Sequence, residues 1–224
     1  MKRIAISLVL AAVALLSCRA AGGNDSYWGL RLSYELAAPG DVKLNDVYKK
    51  DLYGNGSGFS LGAVYHVPVI YNFYFEPGVE LYYNTYSLNK SAVNSELNSS
   101  AAAIGFECTG ASTRMWGLRV PVVGGYRFDL LSGFALSVFT GPEFNLGLSA
   151  KNHVKAGVFS ATSSAYGGDG TLNRVDIKWR FGVGATFSEK VYGAISGAVG
   201  MCDQSQGRQK MHSNLFDITL GYNF

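Results

Sequence analysis

The chain has 224 residues, of which 16% are charged and 13% aromatic, with 28 Gly against 5 Pro and a formal net charge of +3. That composition excludes a disordered chain, a coiled coil and a collagen. So much Gly, beside 14 Tyr, also argues against a helical domain and for strands joined by glycine-rich turns.

Lys2 and Arg3 precede an uncharged run from Ile4 to Ser17, and small residues follow at Ala20, Ala21, Gly22 and Gly23. These are the three parts of a secretory signal peptide, so residues 1–20 are expected to be removed and 21–224 to form one barrel domain. Leu15-Leu16-Ser17-Cys18 offers a second route, lipoprotein processing with Cys18 acylated. Losing Lys2, Arg3 and Arg19 brings the 19 basic residues to 16, level with the 16 acidic ones. A near-neutral mature chain carries no nucleic-acid footprint.

From residue 27 onward, apolar residues alternate with period two, the signature of strands with one apolar face. Strands are expected near 27–36, 58–67, 73–86, 114–128, 133–148, 174–187, 191–201 and 214–224. The last is the clearest: Phe216, Ile218, Leu220, Tyr222 and Phe224 lie on one face, Asp217, Thr219, Gly221 and Asn223 on the other. Connections between these strands alternate in length: long at 37–57, 87–113, 149–173 and 202–213, short at 68–72, 129–132 and 188–190. In an up-and-down barrel, alternation of this kind collects the long loops at one rim and the tight turns at the other. Within the first loop, residues 44–52 could form a helical turn or two, and 87–113, rich in Ser, Asn and Ala, looks mobile. Gly54-Asn55-Gly56-Ser57-Gly58 reads as a flexible entry to a hairpin and Gly167-Gly168-Asp169-Gly170 as a loop tip.

Which face is inside follows from the less apolar positions. Tyr192, Ala194, Ser196, Ala198 and Gly200 carry less Lys, Glu and Thr than a water-exposed strand does, and the small residues among them suit a crowded narrow lumen. Aromatic residues such as Trp28, Phe59, Tyr83, Trp116, Phe128, Phe187 and Phe216 recur near strand ends on the apolar face, as membrane-interface girdles require. The fold class is therefore all-β, an eight-stranded antiparallel up-and-down transmembrane β-barrel; a soluble lipocalin-type ligand carrier is the alternative.

The signal peptide, these strands and the ending Asp217-Ile218-Thr219-Leu220-Gly221-Tyr222-Asn223-Phe224 resemble the small PorT-like outer-membrane barrels of Bacteroidota, a group of OmpX-like architecture. The resemblance implies insertion in the bacterial outer membrane with both termini periplasmic. It implies outer-membrane lipid and the assembly machinery as partners, with Leu220, Tyr222 and Phe224 as the assembly signal. It implies no particular activity.

Inward positions carry charges from six strands: Arg31, Glu35, Glu76, Glu80, Arg119, Arg127, Glu143, Asp176, Lys178, Arg180 and Asp217. Buried in a narrow barrel they must pair, giving a structural network that plugs the lumen; a conduit for a small solute is the sharper alternative. The resulting expectation is a non-enzymatic anchor whose long extracellular loops meet protein partners, with a narrow channel or a secretion-complex accessory as the other reading. A lipid-modifying enzyme would need a rim His with Ser or Asp. His153 and His212 lie in or beside long loops near Ser149, Ser213 and Asp203, whereas His66 falls at the tight-turn end. Nothing in the spacing assigns any of these a catalytic role, and no cofactor motif or metal constellation is present. Apart from Cys18, the cysteines are Cys108 and Cys202, in the second and fourth long loops of an oxidising compartment, which makes a Cys108–Cys202 disulfide plausible.

Overall fold

The computed structural model describes residues 26–39, 42–44, 47–49, 53–88, 108–156, 159–166, 172–203 and 212–224. The signal segment with Cys18, the stretch 89–107 and the loop tip 167–170 lie outside the described residues.

Among the described residues there are eleven strands: β1 (Tyr27–Pro39), β2 (Val42–Leu44), β3 (Val47–Lys49), β4 (Tyr53–Ile70), β5 (Phe73–Leu88), β6 (Cys108–Leu131), β7 (Phe134–Ala156), β8 (Phe159–Ser164), β9 (Val175–Phe187), β10 (Val191–Gly200) and β11 (Ser213–Asn223). Eight of them, in the order β6-β5-β4-β1-β11-β10-β9-β7, are each paired antiparallel with both neighbours, and the β6–β7 pairing closes the ring. Each strand neighbours its predecessor in the ring, so the barrel is up-and-down and every wall strand is hydrogen-bonded on both sides. A closed barrel is one of the two architectures that satisfy the backbone inside lipid.

At one rim the connections are tight. Tyr71 and Asn72 (φ 47° and 65°) and Ser188 and Glu189 (φ 49° and 61°) adopt the paired left-handed conformation that suits the twist of a hairpin. At the other rim the strands overrun the expected ends. β6 begins at Cys108 and β7 runs to Ala156, and among the described residues β8 adds to β7 alone, outside the ring. The third long connection is thus largely sheet.

Two more expectations are corrected in the first loop. Residues 42–44 and 47–49 pair antiparallel as β2 and β3, Val42 with Lys49 and Leu44 with Val47, where a helical turn or two was expected over 44–52. Gly54 to Gly58 belong to β4, whose register against β5 sets Gly58 beside Asn84. A Cβ at Gly58 would collide with the Asn84 side chain, so the glycine read as part of a flexible entry to a hairpin is instead a place where a neighbour fills the lumen.

Burial inverts the usual rule. On β1, Arg31, Ser33, Glu35 and Ala37 are buried, whereas Leu30, Leu32, Tyr34 and Leu36 are exposed. The same alternation on the other strands leaves Leu61, Leu81, Leu118, Val138, Val183, Ile195, Ile218 and Leu220 on the outside. An apolar outer wall around a polar interior is the surface of a barrel that sits in lipid.

Candidate functional site

The lumen holds the chemistry, and the period-two register of the wall strands puts it there. Arg119 of β6 is at the centre. Its Nη1 and Nη2 reach the two carboxylate oxygens of Glu35 on β1 in a bidentate pair, the second contact at 3.0 Å. Nη1 also lies 3.3 Å from Glu80 Oε2, and Nε lies 3.1 Å from both Glu143 Oε1 and Asn145 Oδ1. Arg119 is 1% exposed, and Glu35 and Glu143 are fully buried. Arg180 of β9 continues the network: its Nε donates to Glu143 Oε2 at 2.6 Å, and Nη2 lies 3.5 Å from Asp217 and 3.8 Å from Glu80. Asn84 and Asn145 donate their amides to Glu35 and Glu143, each at 3.0 Å, while Ser196 donates to Asp217 at 3.2 Å. Six charged groups from six strands thereby meet across the axis.

Two smaller groups flank this centre. Toward the long-loop rim, Lys178 Nζ donates to Ser213 Oγ at 3.1 Å and lies 3.7 Å from Asp176. Toward the tight-turn rim, Arg31 donates to Asn223 Oδ1 at 2.9 Å, lies 3.6 Å from Glu76, and sits 4.1 Å from the centre of the Tyr192 ring. His66 stacks between Tyr27 and Tyr74, ring centroids 4.5 and 4.6 Å away, with Nδ1 3.2 Å from Glu76. Arg127 departs from the expectation. It lies half-buried at the tight-turn mouth and pairs with its own strand neighbour Asp129 at 2.8 Å instead of joining the interior network. At the strand's end the inward register has already reached the rim, where a long side chain finds a local partner.

What space remains is small. Among the described residues, cavities of about 30, 20 and 10 Å³ lie along the axis; the first has room for about two water molecules. The first is lined by Arg31, Glu76, Glu80 and Arg180, the second by Arg119, Asp176, Lys178 and Tyr166, so the ion pairs of the centre separate them.

The long-loop mouth is closed by a residue that alternation could not reveal. Ala165 N donates to Ala150 O, Leu172 N to Ala165 O, and Tyr166 turns into the barrel beside Ala150, Leu172 and Met115. A Cβ at Gly147 would collide with the Tyr166 hydroxyl, so glycine is what admits this ring. Arg174 lies 5.0 Å from the ring centre, and burial pushes the Tyr166 phenol above its ordinary range, with Arg174 acting the other way. Asn84, which donates to Glu35, and Tyr82, whose ring centre lies 5.1 Å from the Arg119 guanidinium, are also network members that the sequence reading missed, although both occupy inward positions on β5 that the period of two assigns. Tyr166 comes from a loop and had no such signal.

The remaining candidates are dispersed. His153 lies on β7, its Nδ1 3.0 Å from Thr162 Oγ1, and His212 is exposed at the foot of β11. Cys202 carries a free, half-buried thiol where a disulfide with Cys108 was expected; the Cys108 side chain lies outside the described residues. Leu220, Tyr222 and Phe224 point outward from β11, 65%, 43% and 71% exposed, with the last two rings 5.3 Å apart.

Closure, apolar wall and charged lumen together define a small transmembrane β-barrel. Comparison with solved structures returns bacterial surface and outer-membrane proteins at low identity. The chain is similar to OprG, an outer-membrane protein of Pseudomonas aeruginosa (10% identity, 91% of this chain and 98% of that one, TM-score 0.47). It is similar to Ail, the attachment invasion locus protein of Yersinia pestis (12%, 90% and 100%, TM-score 0.44), and to Neisserial surface protein A (11%, 90% and 100%, TM-score 0.42). No protein-family model matches the sequence, and no curated protein matches it.

Proposed function

We propose that the protein is a non-enzymatic outer-membrane anchor: a plugged barrel that holds the sheet and loops of its long-loop rim outside the cell, where they meet partners. The observation that carries this is the filled lumen. Arg119 and Arg180 bind four carboxylates across the axis, and the cavities on either side are of water size. A barrel filled in this way offers its rims, and among the described residues the long-loop rim is the more substantial of the two. There β6 and β7 rise beyond the wall and, among the described residues, β8 is paired on one side alone, an edge that an extended segment of a partner can join.

Membership in the PorT-like barrels of Bacteroidota is part of this proposal, as are removal of residues 1–20 and periplasmic termini. The ring of eight strands supports it, together with the outward Leu220, Tyr222 and Phe224. Against catalysis stand the separate partners of the histidines: His153 meets a hydroxyl and His66 a carboxylate, and neither meets both. Planar-bilayer recording of protein whose fold is verified by boiling-dependent gel migration tests the proposal. We expect no discrete conductance steps; stepwise currents carried by the heat-modifiable species would overturn it.

A further inference from the structure

The sheet that rises from the long-loop rim has a face of unusual composition. On β6 and β7, Arg114 stands directly opposite Lys151, and Lys151 opposite Ser164 of β8; one step up, His153 lies between Ser112 and Thr162. Directly opposed residues share a face, as do residues two apart on a strand. This face therefore carries Arg114, Lys151, His153 and Lys155 in a frame of hydroxyls. No described carboxylate lies on it.

Its position relative to the apolar wall is fixed by the same register. Trp116, 44% exposed, pairs with Ser149 on the outer surface, with Leu118, Leu146 and Leu148 below it. Arg114 and Lys151 are the next outward pair along the strands, about 7 Å further from the apolar belt. Cations just above a girdle tryptophan stand where lipid headgroups begin. Arg114 and Lys151 are also a directly opposed pair of like charges, an arrangement that destabilises a sheet, and neither has an ion pair among the described residues. An anion between them removes the repulsion. A guanidinium fork and an ammonium, with Thr162 and Ser164 alongside, match the donors a phosphate monoester takes up.

We infer that this face binds the phosphate groups of phosphorylated lipids in the outer leaflet, with Arg114 and Lys151 straddling one phosphate. The inference rests on the membrane-anchor reading above and supplies it with a lipid contact. It also gives the sheet an orientation, since a face held against headgroups turns the free edge of β8 along the membrane surface.

The test uses the full mature chain in detergent, with lipid retention measured by native mass spectrometry. Probes are bis-phosphorylated lipid A, its dephosphorylated form, inorganic phosphate and a soluble sulfated polysaccharide. Arg114→Gln/Lys151→Gln is compared with wild type and with Lys190→Gln at the opposite rim. We expect the double variant to bind phosphorylated lipid A about ten-fold or more weakly, the wild type to bind the dephosphorylated lipid as poorly, and Lys190→Gln to match wild type. Unchanged binding by the double variant overturns the inference. So does full displacement of the lipid by millimolar inorganic phosphate, which marks a free-anion site, or a double variant that loses the polysaccharide and keeps the lipid, which marks a soluble polyanion as the occupant. Loss of boiling-dependent migration in the wild type would instead sink the membrane-anchor reading itself, independently of the headgroup contact.

Discussion

Arg119→Met asks how much the interior network matters. The guanidinium touches Glu35 twice, Glu80, Glu143 and Asn145; its removal leaves Glu80 and Glu143 to Arg180, which also holds Asp217, and leaves Glu35 with the neutral amide of Asn84. Hydrogen bonds to charged groups contribute about 1.5–3 kcal/mol each, but members of one network do not add. Removing one partner from a buried ion pair costs about 3–5 kcal/mol, and we take that range for Arg119→Met. At about 2–4 °C per kcal/mol for a chain of this size, the unfolding temperature falls by roughly 6–20 °C. The assay is the temperature at which the folded band on a gel converts to the unfolded one. Arg127→Met is the internal control, because its pair with Asp129 is partly solvated and is worth about 1 kcal/mol or less. Adding Glu35→Gln to Arg119→Met should recover part of the loss, since one uncompensated charge is then gone. An Arg119→Met protein that melts within about 3 °C of wild type, or no lower than Arg127→Met, would refute the claim that these groups are buried and mutually dependent.

Two further perturbations probe the wall and the mouth. Leu81 is exposed at the level of the network, so Leu81→Arg should destabilise the protein in lipid by about 2–4 kcal/mol, and Ser87→Arg at the rim by about 1 kcal/mol or less, read from urea titrations in vesicles. Gly147→Leu should expel Tyr166 from the mouth and speed proteolytic cleavage between residues 159 and 172. The same cleavage in Gly147→Leu as in wild type would mean that the ring does not close the barrel.

The parts of this fold that were legible in the sequence are those governed by a strict period. Phe216 to Phe224 and Val175 to Phe187 alternate without exception, so β9 and β11, their register and the inward placement of Asp176, Arg180 and Asp217 follow directly. Where the chain leaves the membrane, that constraint ends. From Ser149 to Ala156 and from Cys108 to Thr113 both faces can be polar, and strand pairing persists with no alternation to announce it. Glycine misled for a related reason. Gly54, Gly56 and Gly58 look like a hinge when read locally, yet the space beside Gly56 and Gly58 is taken by Tyr86 and Asn84 from the next strand. Tyr166 was out of reach because its place is set by a loop returning over the mouth.

Filling the interior with charge, when aliphatic side chains would also exclude water, has a physical consequence for the register. The outer wall must be apolar, and the strand period leaves only inward positions for everything else. Were those positions also aliphatic, a one-residue slip of any strand would exchange two equivalent faces at little cost, because register is weakly specified wherever both faces of a strand are alike. With Arg119, Glu143, Arg180 or Asp217 on the inner face, a slip places a charge against lipid, where a single Arg costs about 2–4 kcal/mol, and leaves its partners inside unpaired. The network therefore acts twice, holding the native strands together across the axis and penalising the nearest alternative pairings. That double role accounts for its reach over six strands. On the anchor reading proposed above, a lumen committed to fixing register leaves recognition to the sheet and loops of the rim.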